Sequence, residues 1–297
     1  MTPTMTPDEA QAYCTAKTKA SGSNFYYSFF FLPRFRREAM YTVYTFCHEV
    51  DDAVDHPPTG TNPQEQLSQW RQEIKAIYQG TPRHPVTISL AEHVKRLGIP
   101  EEYLQELVTG MEMDLTQTRY TTFENLYPYC YRVASIVGLI CLKVFGTQDP
   151  RAQEYAINLG VAFQLTNILR DVGADSDRQR IYLPQEDLAR FKYSEQELLT
   201  KTRSAQFLEL MKFEANRAHE FYQKAQAVYD TLPKSDRKSL LPAEIMRGVY
   251  FKILTRIQSS NYAVFESRIR ISPPLRILIA LKSWLQTSFN NGFSVRP

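Results

Sequence analysis

The sequence predicts an all-helical protein, and three observations support that reading. Glycine is scarce, 11 of 297 residues. Apolar residues recur mostly at intervals of three and four, the period of a helix with one buried face. Proline, which cannot continue a helix, falls between the periodic segments. The first helix spans 8–19, and Pro33 sets off the second, 34–54. Pro57 and Pro58 close that one, Pro63 opens 63–79, Pro82 and Pro85 precede 85–97, and Pro100 precedes 101–118. A segment at 123–145 follows; its apolar run, Val133 to Val144, is too short to span a bilayer and contains Lys143. Pro150 marks a helix at 149–174, Pro184 one at 184–190, and a long one follows at 195–229. Pro233 introduces 235–260, and Pro273 with Pro274 opens 274–289. No Gly/Ser-rich or charged linker and no internal repeat divides the chain, so residues 1–297 read as a single domain.

Composition narrows the function. An apolar content of 43% suffices for a substantial core, which excludes disorder. A net charge of +3 with no basic tract argues against nucleic acid as a partner. Cys14, Cys47, Cys130 and Cys141 show no CxxC spacing and fit buried reduced thiols, hence a cytoplasmic setting. The opening MTPTMTPDEA lacks the basic start and apolar core of a signal peptide. Helix 274–289 joins Leu and Ile to Arg276, Lys282 and Trp284; packing onto the bundle and peripheral contact at the inner face of a membrane are both open to it.

Two aspartate clusters carry the chemistry: DDAVD at 51–55 and NILRDVGAD at 167–175. Residues four apart share a helix face, so Asp51 and Asp55 form one carboxylate edge, and Asn167, Asp171 and Asp175 another along ~12 Å of axis. Like charges so spaced repel by only a few tenths of a kcal/mol on an open helix, and far more where water is excluded. Both clusters sit near helix C-termini, where the macrodipole disfavours acid. Such a site needs a cation, and hard oxygen donors without a cysteine or histidine cage select magnesium, which shares its coordination with phosphate.

With DDAVD, YCYRVAS (129–135) and QLTNILRDVGAD followed by RIYLP (164–184), the chain resembles the squalene and phytoene synthase family over roughly residues 13–285. The resemblance implies an isoprenoid synthase helical bundle with a central tunnel, in which two aspartate-rich helices bind magnesium and two prenyl diphosphates. SGSNFYYSFFFLP (21–33), HPVTISL (84–90) and GMEMDL (110–115) are most similar to the bacterial hopanoid-pathway presqualene diphosphate synthases.

By that resemblance Asp51, Asp55, Asn167, Asp171 and Asp175 hold magnesium, with Gln164 extending the second face. Tyr129 is the expected aid to proton loss, with released diphosphate as the other candidate base. Ser21, Ser23, Arg34, Arg37, Arg178, Arg180, Tyr250 and Arg268 are expected around the diphosphates. His48 stands where the family usually has an arginine, and Ala174 where an acid is common. A histidine lacks the fork that grips phosphate, so either diphosphate binding there is expected to be weaker, or Arg34, Arg37 or a lysine to substitute. Phe25, Tyr26, Phe29, Tyr41, Tyr44 and Phe163 offer aromatic faces to a carbocation.

The implied reaction is head-to-head condensation of two farnesyl diphosphates to presqualene diphosphate, passed to a downstream enzyme. Phytoene or dehydrosqualene synthase is the enzymatic alternative, and a non-catalytic prenyl diphosphate-binding or assembly protein the alternative of another class. No dinucleotide fingerprint indicates reductive completion to squalene.

Overall fold

In the computed structural model, which describes residues 5–22, 26 and 28–289, the periodic segments become helices whose first turns hold many of the prolines. The helices are α1 (Pro7–Ala20), α2 (Arg34–Asp55), α3 (Pro63–Gln79), α4 (Pro85–Leu97), α5 (Glu101–Thr116), α6 (Phe123–Cys130) and α7 (Ile136–Phe145). They continue as α8 (Ala152–Asp177), α9 (Gln185–Arg190), α10 (Glu195–Leu199), α11 (Ala205–Thr231), α12 (Lys234–Ser239), α13 (Leu241–Ser259) and α14 (Pro273–Phe289). Pro7, Pro63 and Pro85 sit at the first positions of their helices, where a missing N–H costs nothing, beside caps from Thr6, Asn62 and His84. Among the described residues there is no β-strand, only an isolated parallel bridge between Arg119 and Ile181.

Three predicted segments are interrupted. The 123–145 segment contains a π turn at Tyr131–Ser135, between α6 and α7. Pro128 precedes it inside α6, and the N–H of Tyr131 is shared between the carbonyls of Pro128 and Tyr127. The 195–229 segment divides into α10 and α11 at Lys201, whose φ of 55° breaks helical register, and Ser204 caps the restart through the Phe207 N–H. The 235–260 segment divides at Leu240, because Pro242 belongs in the first turn of a new helix. A short 3-10 turn, Phe29–Phe31, forms in the aromatic run.

The 26-residue α8 is the axis of the bundle, packed by α11, α13, α7 and the π turn, while α1 and α4 brace α2. One apolar core runs through these helices, from Cys14 on α1 to Ile257 on α13. The longest apolar helical stretch, Phe123–Phe145, could cross a bilayer by length and composition, yet half of its apolar window is buried in the bundle. The α14 helix buries Ala280 and leaves Ile277, Leu278, Leu281, Trp284 and Leu285 exposed.

The π turn and α8 meet at glycine. A Cβ on Gly160 would lie 2.5 Å from Ser135 Cα and 2.6 Å from its N, both backbone atoms that cannot rotate away. The Ser135 hydroxyl also donates to the Ile157 carbonyl at 2.8 Å, fixing the crossing. Gly160→Ala would gain up to ~1 kcal/mol of helix propensity, but the forced separation costs about 1–3 kcal/mol. The variant is therefore expected to be less stable, with a lower urea midpoint; an unchanged or raised midpoint would contradict this packing.

Candidate active site

The two aspartate clusters come together. Asp55, at the end of α2, accepts a hydrogen bond from Arg180 Nη1 at 2.7 Å and is also bonded by Arg178 Nη1. The chain after α8 is shaped for this. The N–H groups of Arg178 and Arg180 both donate to the Asp175 carbonyl, at 3.0 and 2.9 Å, which turns the chain back on the helix end. Gln179 between them takes a left-handed φ of 59°, uncommon outside glycine, and Arg119 Nη1 holds its carbonyl at 2.6 Å. The next residue, Ile181, donates its N–H to the Thr118 carbonyl at 3.0 Å. Both arginines therefore reach one carboxylate on the opposite helix.

Asp171 is matched in the same way. Arg268 grips it with Nε to Oδ1 at 2.9 Å and Nη2 to Oδ2 at 2.8 Å, and Arg170 Nε donates to Oδ1 at 2.9 Å. Burial works to raise the carboxyls of Asp55 and Asp171, and their arginines outweigh it, holding both below the ordinary value.

Three further carboxyls lack such partners. Burial, then the charges of Asp55, Asp114 and Asp52, push Asp51 up to about 6. Burial and Asp171 push Asp175 up to about 7, and burial pushes Asp114 up to about 6. The site thus holds more negative charge than its arginines balance. The Asn167 Oδ1 is buried and accepts no hydrogen bond among the described residues. An unmatched acid surplus and an orphaned acceptor, all oxygen, fit a hard cation. Among the described residues, however, no three acidic, histidine or cysteine side chains converge on one point to form a finished cage. The expected five-residue metal site is therefore not preassembled, because arginines occupy Asp55 and Asp171.

Asp114 is the site residue that sequence reasoning missed. It accepts from Tyr129 at 3.1 Å and from Tyr182 at 2.6 Å, and the two rings stack with centroids 5.0 Å apart. Its signal lay within GMEMDL: Asp114 continues the apolar stripe of Leu104, Leu107 and Met111 on α5, where an acid has no packing reason to be.

Beside the acids a cavity of about 340 Å³ runs between α2, α7, α8 and α13. Asp51, His48, Gln164 and Asn167 line one end; Leu142, Phe145 and Tyr155 line the other. Its walls are mostly apolar and include Phe29, Tyr44, Phe163 and Tyr250, the last two stacked at 4.4 Å. A larger cleft, about 560 Å³, opens elsewhere, between α11, α12, α13 and α14, and contains none of the aspartate-cluster residues.

The other predicted residues divide. Gln164, Asn167, Tyr250 and His48 line the cavity, and Arg178, Arg180 and Arg268 reach the acids. His48 Nδ1 lies 2.8 Å from Asp52, not Asp51. Arg34 and Arg37 do not substitute for an arginine there. They occupy the opposite end of α2, ~21–26 Å from Asp51 along the axis, and Arg34 pairs with Glu38 at 2.8 Å. Ser21 donates to the Thr18 carbonyl at the end of α1 and is not part of the cavity wall; Ser23 and Phe25 lie outside the described residues. Tyr41 and Tyr26 stack on each other, at 5.7 Å, and do not line the cavity. Tyr129 donates to Asp114, and burial with the nearby Asp114 charge raises its phenol well above the ordinary value, so it keeps its proton.

The model of the squalene/phytoene synthase family matches residues 18–274. A 15-cis-phytoene synthase of Synechocystis is 36% identical over 296 residues, covering 96% of this chain and 87% of that protein. A phytoene synthase of Arthrospira platensis is 36% identical over 276 residues, 89% of this chain and 88% of its own. Among solved structures, a dehydrosqualene synthase in complex with ligand superposes with a TM-score of 0.85 at 27% identity, covering 95% of this chain and 98% of that one. Squalene synthase HpnC from Alicyclobacillus acidocaldarius gives 0.76 at 25% identity, over 85% and 94% of the two chains.

The paired phenols on Asp114 yield a prediction. Tyr129→Phe or Tyr182→Phe leaves the buried carboxyl one donor short and is expected to cost about 1–3 kcal/mol of unfolding free energy. Urea denaturation measures it, and wild-type stability in both variants would contradict the anchor.

Proposed function

Because the chain belongs to the squalene/phytoene synthase family, whose members are prenyltransferases, we propose that it joins two geranylgeranyl diphosphates head to head to form phytoene. The observation that carries the reading is the pair of carboxylate helices, α2 and α8, brought together beside an apolar cavity with arginines between them. The choice of substrate rests on full-length similarity to phytoene synthases at 36% identity. The expectation of farnesyl diphosphate and presqualene diphosphate therefore gives way to its carotenoid-branch alternative. The similarity to a dehydrosqualene synthase keeps a shorter substrate as the second reading.

Magnesium, held by Asp51, Asp55, Asn167, Asp171 and Asp175, would neutralise charge on the departing diphosphate. Arg268 already holds Asp171 with the two-nitrogen fork that grips phosphate, Arg178 and Arg180 each hold Asp55 through one nitrogen, and all three exchange these carboxylates for diphosphate oxygens when substrate enters. The apolar walls exclude water, which would otherwise quench an allylic cation. Phe163, Tyr250, Tyr44 and Phe29 present π faces worth ~2 kcal/mol or more to a desolvated cation.

The first step breaks the carbon–oxygen bond of one substrate and releases diphosphate. The double bond of the second substrate attacks the cation, and loss of a proton closes a cyclopropane. A second ionisation, rearrangement and loss of one more proton give a neutral hydrocarbon without a reductant. Tyr129 retains its own proton, so released diphosphate is the better base and Tyr129 steadies Asp114.

Purified protein with geranylgeranyl diphosphate and magnesium, without NADPH, should give phytoene in the organic extract, and a chelator should abolish it. Asp51→Asn and Asp175→Asn should each lower kcat/KM on the order of 10²-fold or more. Dehydrosqualene or presqualene alcohol from farnesyl diphosphate alone would overturn the substrate choice. Binding of both diphosphates without product would support the non-catalytic alternative.

A further inference from the structure

One side of the cavity, from Tyr250 near the acids to Pro242 toward the inner end, is a wall one helix thick. On α13, Pro242, Ala243, Met246 and Tyr250 face the cavity, while Glu244, Arg247, Gly248 and Phe251 face the outer cleft of about 560 Å³. These sets occupy the two sides of one helix, as their spacings of three and four require. Tyr155 of α8 fills the remaining gap. It lines the cavity, is only 1% exposed, and sets its ring against Tyr229 of the cleft wall, with centroids 5.8 Å apart.

A charge pair on the cleft side, with Glu244 buried and Arg247 half-buried, pins that ring. The Tyr155 phenol donates to Glu244 Oε1 at 2.8 Å. Arg247 grips the same carboxylate through Nε to Oε1 at 2.9 Å and Nη2 to Oε2 at 2.7 Å. A position that needed only apolar filling would do better without a phenol that must be matched by a largely buried ion pair. Tyr155 also lies twelve residues before Asn167 on α8, ~18 Å from the acid end along the axis.

We propose that Tyr155, pinned by Glu244 and Arg247, is the stop against which the tail of the prenyl chain ends, and so sets the longest diphosphate accepted. This rests on the assignment of the cavity to prenyl diphosphates. Leu142, Phe145 and Tyr155 all belong to the continuous core, but it is Tyr155 that is bonded to Glu244 and set against Tyr229 of the cleft wall, so trimming Leu142 or Phe145 adds only local space. Trimming Tyr155 joins the cavity to the outer cleft. Its loss therefore removes the length limit, where trimming the others extends it by a step.

The test is competitive binding, with magnesium present, of unreactive thiolo-diphosphate analogues carrying three to six isoprene units. Wild type should bind the five-unit analogue about tenfold or more weakly than the four-unit one, as expected for a surplus the pocket cannot hold. Tyr155→Ala should erase that difference and admit the six-unit analogue. Tyr155→Phe, which keeps the ring but frees it from Glu244, should give an intermediate profile, the five-unit analogue gaining less than in the alanine variant. Should the alanine variant fail to fold, as judged by thermal unfolding, Tyr155→Leu keeps the core filled while shortening the stop, and the five-unit analogue should still gain. A folded alanine or leucine variant with the wild-type profile overturns the proposal, as does wild type that binds five and four units equally. Wild type that binds the analogues yet converts no substrate would overturn the reaction and leave the chain-length result standing; wild type that binds none overturns both.

Discussion

Charge matching across the α2–α8 junction is the constraint on which the rest of the structure depends. Each helix ends in acid, against its own dipole, and the two ends face one cavity, where burial raises the cost of the charges. Arginines from three places relieve it: Arg170 from within α8, Arg178 and Arg180 from the turn that follows it, and Arg268 from the segment beyond α13. The turn is held by Arg119 and by the bridge to Ile181, so a loop that does not itself line the cavity governs how the acids are paired. The relief is partial, since among the described residues no arginine pairs directly with Asp51, Asp114 or Asp175, and all three stay raised. A surplus of this kind is a reservoir of affinity for whatever cation arrives with the substrate.

Packing serves the same end. The π turn in the YCYRVAS motif crosses α8 at Gly160 so closely that no side chain fits. That crossing sets the wall of the cavity, which Gly160, Val133 and Ala134 all line. A widened turn stabilised by a serine bond to the neighbouring helix is a feature that function more often explains than stability.

The carboxylate helices were legible in the sequence because their residues repeat at four, a spacing that only a helix turns into a face. Arg178 and Arg180 were legible as neighbours of the site. Their grip on the opposite helix was not, since it depends on a left-handed Gln179 that no glycine announces. Asp114 escaped notice as a lone acid outside any cluster; its place on an apolar stripe was the available clue. Arg34 and Arg37 misled because they open the same helix that bears Asp51, and a 22-residue helix carries its two ends far apart. Of the motifs that suggested the hopanoid branch, HPVTISL plays an architectural part, opening α4 with His84 as cap, while GMEMDL ends α5 and brings Met111 and Asp114 to the site. Chain length is a matter of the cavity's closed end, where residues from distant segments meet, and no linear motif reports it.

In this account the arginines hold the acids until a diphosphate takes the arginines and a metal takes the acids. Calorimetric titration of magnesium into the protein, with and without a geranylgeranyl thiolo-diphosphate, tests that exchange most directly. The account predicts weak binding of the ion alone, because it must displace Arg178, Arg180 and Arg268, and binding at least about tenfold tighter with the diphosphate present, a coupling of ~1.4 kcal/mol or more. Magnesium binding of equal strength in both titrations would contradict it.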